Sequence, residues 1–197
     1  MKRLLWINAC MRGQGVSRTD KLCRTFLDAW KEANPDGEIL ERDLTAGNLP
    51  QLTADLAEQR DKAAQDGVQD TFLLMAAREL AGADAVVIGA PYWDLSFPAV
   101  LKVYLEWAST LGVTFRYTED GRSQGLCRAK QLLYITTAGG PVQGQNFGYD
   151  YVKALSGMLG IEQTQCVAAE LLDVQGGPGA ENMKRAEDEL KRLAASW

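Results

Sequence analysis

Three short stretches hold residues whose types and spacing could do chemistry. The first runs from Cys10 to Asp20 and places Gly13 and Gly15 ahead of Ser17-Arg18-Thr19 at a helix start. Unpaired backbone N–H groups, the positive end of a helix dipole and two hydroxyls suit a phosphate monoester. Each charge-assisted hydrogen bond there contributes roughly 1.5–3 kcal/mol, so three or four anchor an anion without a P-loop lysine. The plainer reading makes Ser17 a helix cap, with Asp20 at the capping-box position. Capping accounts for Ser17 but not for the long glycine- and arginine-bearing loop, and both readings stay open. The second stretch, Pro91-Tyr92-Trp93-Asp94-Leu95, offers aromatics that either pack on a flat ring or serve as ordinary core or interface. The third, Thr137-Ala138-Gly139-Gly140, lets backbone N–H groups approach a ligand closely, or simply turns before Pro141.

Several chemistries are excluded. The chain has no histidine, which argues against a serine hydrolase or a proton-relay enzyme. Cys10, Cys23, Cys127 and Cys166 form no C-x-x-C, so no usual zinc ligand set is expected and free thiols in a reducing cytosol are. Gly13-x-Gly15-x-x-Arg18 lacks the third glycine of a dinucleotide fingerprint, and no Walker-type P-loop occurs. A net charge of -5 over 197 residues argues against a nucleic-acid partner. The opening MKRLLWINAC is too briefly apolar for a signal peptide and no later segment could span a bilayer, so a cytoplasmic location without membrane contact is expected.

The elements that must position these stretches alternate. RLLWIN, EILERDL, ADAVVIGAP, QLLYITTAGG and IEQTQCVAAEL read as strands. Helices are expected over 17–33, twice within 53–81 with a break near Gly67, from Pro98 to about Ser109, and over 149–159 and 180–195. This order predicts one α/β domain spanning residues 1–197, a three-layer sandwich with helices on both faces of a five-stranded parallel sheet of flavodoxin-like order 2-1-3-4-5. Strands one and three are then neighbours, and ligands bind where the winding reverses. The three stretches follow strands one, three and four, on one edge of one sheet. Hydroxyls, aromatics and glycines offered in turn describe a phosphorylated planar cofactor, flavin mononucleotide (FMN).

The sequence also resembles the flavodoxin-fold NAD(P)H-dependent flavin oxidoreductases, specifically the FMN-dependent quinone reductase and azoreductase family. The resemblance covers nearly the whole chain through INACMR and SRTDKL, GAPYWDLSFPAVLKVYLEWA, GVTFRYTEDG and ITTAGG, in order. It implies that Ser17, Arg18 and Thr19 hold the phosphate, that Pro91, Tyr92, Trp93, Asp94 and Leu95 line the isoalloxazine, and that Thr137, Ala138, Gly139 and Gly140 close over its pyrimidine side. Cys10 joins this cofactor set at the end of strand one, although the family commonly has serine where this chain has Ala9 and Cys10. Asp94 replaces a frequent asparagine and Ala138 a polar or basic residue, departures that bear on substrate choice. Tyr117 is the substrate-side aromatic and candidate proton donor, contributed near the dimer partner, and Met158 is a further apolar pocket residue.

The activity so implied is two-electron, ping-pong reduction of a small quinone or azo compound with NADH or NADPH as donor, hydride passing through flavin N5. Backbone N–H groups of Gly139 and Gly140 would stabilise charge near flavin N1 and C2. Arg12, Arg18 and Arg116 are candidates for a 2′-phosphate. Tyr104, Trp107 and Phe115 fit either a homodimer interface or core packing. Rival readings are a flavodoxin-like electron carrier, an FMN reductase and a non-catalytic flavin-sensing module. In crystals soaked with FMN, an empty crevice, or Ser17 and Thr19 turned inward onto other protein atoms, would overturn the flavin reading.

Overall fold

The computed structural model describes residues 2–47, 49–69 and 71–197. Strands β1 (Arg3–Asn8), β2 (Glu38–Asp43) and β3 (Ala85–Gly89) alternate with helices α1 (Arg18–Ala33), α2 (Ala54–Gln65) and α3 (Phe72–Gly82). Helix α4 (Ala99–Ala108) then leads to β4 (Phe115–Tyr117), β5 (Ser123–Gly125) and β6 (Gln131–Thr137). The chain ends with α5 (Phe147–Leu159), β7 (Gln163–Ala169) and α6 (Gly179–Ala194).

The main sheet has the order β2-β1-β3-β6-β7 and is parallel throughout, which is the expected flavodoxin-like arrangement with β6 and β7 as fourth and fifth strands. AVVIG of β3 is buried along its whole length because helices cover both faces. Strand alternation then sorts the core in two. Leu5, Ile7, Val86, Ile88, Leu132 and Tyr134 face α3, α4 and α5, whereas Leu4, Trp6, Val87, Leu133 and Ile135 face α1 and α6. Helix α1 buries Leu22, Cys23, Phe26, Leu27 and Trp30 on one side, and Asn34 ends it by donating back to the Trp30 carbonyl.

Of the two readings open for Tyr104, Trp107 and Phe115, core packing is the one seen within the chain. Tyr104 and Trp107 are buried, and the Trp107 indole donates to the Pro50 carbonyl at 2.7 Å. Phe115 is half-buried against the same cluster.

The antiparallel β4–β5 hairpin was not expected. It is rooted at the edge of the sheet where the strands begin: Cys127 N–H donates to the Leu159 carbonyl and Arg128 N–H to that of Ala81, just before β6. A Cβ at Gly125 would overlap the backbone of Leu159 and Gly160, so only glycine lets the hairpin lie flat on the end of α5. No helix of the described residues is long and apolar enough to cross a membrane.

Candidate functional site

The carboxyl ends of β1, β3 and β6 converge on a cavity of about 190 Å³, lined by Arg12, Ser17, Arg18, Thr19, Pro91, Tyr92, Trp93, Thr137, Gly139 and Asp173. Eight of the expected cofactor residues thus meet in one cleft at the switch point of the sheet.

Ser17 is the N-cap of α1, and its hydroxyl oxygen accepts the Asp20 N–H at 3.2 Å, as the capping reading expected. The buried Thr19 hydroxyl lies 2.6 Å from that of Thr137. Both hydroxyls are therefore engaged with protein, yet neither is exhausted. A hydroxyl that accepts still has a proton to donate, and a hydroxyl pair uses one proton between two oxygens. The N–H groups of Arg18 and Thr19, first in the helix, have no protein acceptor among the described residues. The donors left free at this helix start are thus mainly backbone N–H groups, with the side-chain hydroxyls partly engaged.

The second stretch is bent into a tight turn. Trp93 and Ser96 exchange backbone hydrogen bonds at 3.1 and 2.7 Å, with Asp94 and Leu95 at φ of 51° and 67°. Left-handed backbone at two consecutive non-glycine residues is strain, and strain collects at functional sites. Its effect is to hold Trp93 at the cleft while Leu95 stands at the rim, 47% exposed, with its carbonyl accepting the Phe147 N–H. Tyr92 is fixed at both ends, its N–H on the Thr137 carbonyl at 3.0 Å and its hydroxyl on that of Gln145 at 3.1 Å.

In the third stretch the Ala138 N–H donates to Ala169 at 2.9 Å and its side chain is buried. Ala138 therefore offers a ligand neither group, which corrects that expectation. Gly139 and Gly140 keep N–H groups without a protein acceptor among the described residues. A Cβ on Gly139 would strike the Asp173 carboxylate, so the residue must be glycine while Asp173 lies over it.

Other expected residues fall elsewhere. The Cys10 thiol is buried on the α1 side of the sheet, beside Cys23 and 3.6 Å from the Gly89 carbonyl, and does not line the cleft. Asp94, Leu95 and Gly140 border the cavity without lining it. Tyr117 is 62% exposed, stacked edge-on against Phe115 in the hairpin, and is not in its own chain's cleft. Met158 packs on the core, and Arg116 donates to Gln124 in the hairpin.

Arg12 joins the cleft as one of the candidate cations, but Asp173 was missed altogether. It lies just past β7, ahead of Gly176, Gly177 and Gly179 in a loop without hydroxyl residues, and only the adjacency of β6 and β7 brings it to the site. Its hydrogen bond from Arg18 holds its carboxyl below the usual carboxylate range, with the charge of Arg12 adding to the effect. Among the described residues, no group of three or more His, Cys, Asp or Glu side chains could hold a metal ion.

A family described as a flavodoxin-like fold matches residues 2–194. The FMN-dependent NADH:quinone oxidoreductase 2 of Clostridium acetobutylicum is 36% identical over 181 residues, covering 89% of this chain and 90% of that protein. An FMN-dependent NADH:quinone oxidoreductase of Clostridium perfringens is 33% identical over 199 residues, with all of both chains covered. Among solved structures, an azoreductase from Bacillus anthracis aligns with a TM-score of 0.87 and 26% identity over the full length of both chains. Matched from end to end, the chain belongs to the flavodoxin-like family of the FMN-dependent NADH:quinone oxidoreductases and azoreductases.

Proposed function

We propose that residues 1–197 act as one FMN-binding domain that reduces quinones or azo compounds with NADH. The observation that carries this reading is the meeting of free backbone N–H groups at one cleft, Arg18 and Thr19 at the start of α1 and Gly139 after β6, with Tyr92 and Trp93 in the same lining and Gly140 beside it. That donor set fits FMN: an anion site, an aromatic wall and a second cluster of donors where a pyrimidine ring gains charge on reduction. When bound, the flavin supplies the two-electron chemistry.

This chain's residues orient and polarise. The Arg18 and Thr19 N–H groups and the helix dipole would hold the phosphate, and the strained 93–96 turn would present Trp93 to the ring. Gly139 and Gly140 would offer their free N–H groups to the pyrimidine edge. A cavity of about 190 Å³ encloses only part of a ligand of this size, since whole-ligand pockets span roughly 300–1,000 Å³. A second copy of the chain completes the site, and the exposed Tyr117 of one hairpin fits that role in the partner's cleft. The names of the curated relatives support NADH as donor.

The test is spectroscopic. Protein loaded with FMN is mixed anaerobically with NADH and then with a quinone. Rapid bleaching followed by recovery of the yellow colour is expected. An unchanged spectrum after NADH makes the protein a carrier, and failure to bind flavin refutes the reading. Tyr117→Ala is expected to raise KM for the quinone about tenfold with little change in the NADH half-reaction, the loss of one buried aromatic contact at roughly 1–1.5 kcal/mol.

A further inference from the structure

The cleft holds two cations and one anion, and the anion is placed against the cations. Arg18 donates from Nη1 to the Asp173 carboxylate at 2.8 Å and to the Leu172 carbonyl at 3.1 Å. Arg18 is the first residue of α1, beside the free N–H groups that mark the phosphate position. Its guanidinium thus points along the loop after β7, toward a carboxylate.

We propose that Asp173 is a built-in counter-anion that occupies Arg18 and so lowers the affinity of the cleft for the phosphate of its cofactor, an inference that rests on the flavin reading above. The loop bearing Asp173 is pinned to the loop after β6. Leu171 N–H donates to Gly140 at 3.2 Å, Leu172 N–H to Ala138 at 3.2 Å and Asp173 N–H to Gly139 at 2.9 Å, with Leu171 held at φ 62°. Anchored by its own backbone, Asp173 keeps its carboxylate over Gly139, where any side chain would evict it.

The pair is weak enough to exchange. The Arg18 and Asp173 side chains are 34% and 65% exposed, and water screens such pairs. A phosphate at the helix N-terminus competes for Arg18 with a larger charge and with the backbone donors already in place. Arg12 makes no close ion pair among the described residues, although its charge is felt at Asp173, and it remains the second cation of the cleft. Asp173 therefore makes the cleft less selective for phosphorylated ligands than its donors alone would make it.

The experiment compares FMN with riboflavin, which lacks the phosphate, by fluorescence titration of flavin-free protein. Asp173→Asn is expected to tighten FMN about fivefold more than it tightens riboflavin, the scale of one exposed ion pair. Asp173→Ser is expected to behave alike, and Arg18→Gln is expected to abolish the gain when combined with Asp173→Asn. Equal changes for both flavins, weaker FMN binding, or no change in either would overturn the counter-anion. Wild-type protein that binds neither flavin overturns the site reading itself, whereas binding with an unmoved FMN-to-riboflavin ratio overturns only the role of Asp173.

Discussion

The two edges of the central sheet are built on opposite terms. Where the strands begin, backbone groups are matched: Glu38 N–H on Lys2, Asp84 N–H on Arg3, Arg128 N–H on Ala81, Gln163 N–H on Lys130, and Arg3 N–H on the Asp84 carboxylate. Where the strands end, N–H groups of Arg18, Thr19, Gly139 and Gly140 lack protein acceptors among the described residues, and Asp94 and Leu95 sit in left-handed backbone. One edge is closed by its own contacts, and the other keeps donors and strain that a ligand can use. The difference separates what folds the chain from what makes it useful.

The sharpest way to break this comparison is at the closed edge. In Gly125→Ala the added methyl meets backbone atoms of Leu159 and Gly160, which no side-chain rotation can relieve. Gly160 is itself fixed as the left-handed cap of α5, at φ 85°. A loss of about 3 kcal/mol in urea denaturation is expected, the upper range for overpacking a tight contact. FMN affinity of the folded fraction should stay unchanged. A variant that lost flavin but kept its stability would show that the two edges are not independent.

The same contrast explains what could be read from the sequence. The sheet order was legible because β1 and β3 are continuous apolar runs and α1 stops cleanly at Asn34-Pro35-Asp36-Gly37. The hairpin was not, because three-residue strands with mostly exposed side chains carry no periodicity. At the open edge, glycines, hydroxyls and aromatics signalled the loops after β1, β3 and β6. Cys10 falls outside the cleft because nearness in sequence to the loop before α1 says nothing about which face its thiol takes. Asp173 is the converse case, since it reaches the cleft only through tertiary adjacency of two loops.

At the open edge, the Thr19–Thr137 hydroxyl pair tests whether a buried contact serves folding or the ligand. Thr19→Val leaves the nearly buried Thr137 oxygen without its partner, at an expected cost of about 1–3 kcal/mol. Thr19→Val/Thr137→Val removes both partners, so most of that stability should return while FMN affinity stays low. Urea midpoints and flavin titrations on the three proteins separate the two effects. If the double variant recovers affinity as well, the pair is structural and the backbone N–H groups alone hold the phosphate.

The smallest expected effect has the opposite sign. Left-handed backbone costs a non-glycine residue roughly 1–2 kcal/mol, and glycine returns about 0.5–1 kcal/mol of that in extra unfolded-state entropy. Leu95 is 47% exposed and so forfeits little burial on truncation. Leu95→Gly should therefore stabilise the fold by about 0.5 kcal/mol, visible as a small rise in melting temperature. The turn would also loosen, and Trp93 with it, so the NADH half-reaction should slow. A stabilised variant with full activity would mean that the strain at 94 and 95 is an accident of packing and that the aromatic wall does not depend on it.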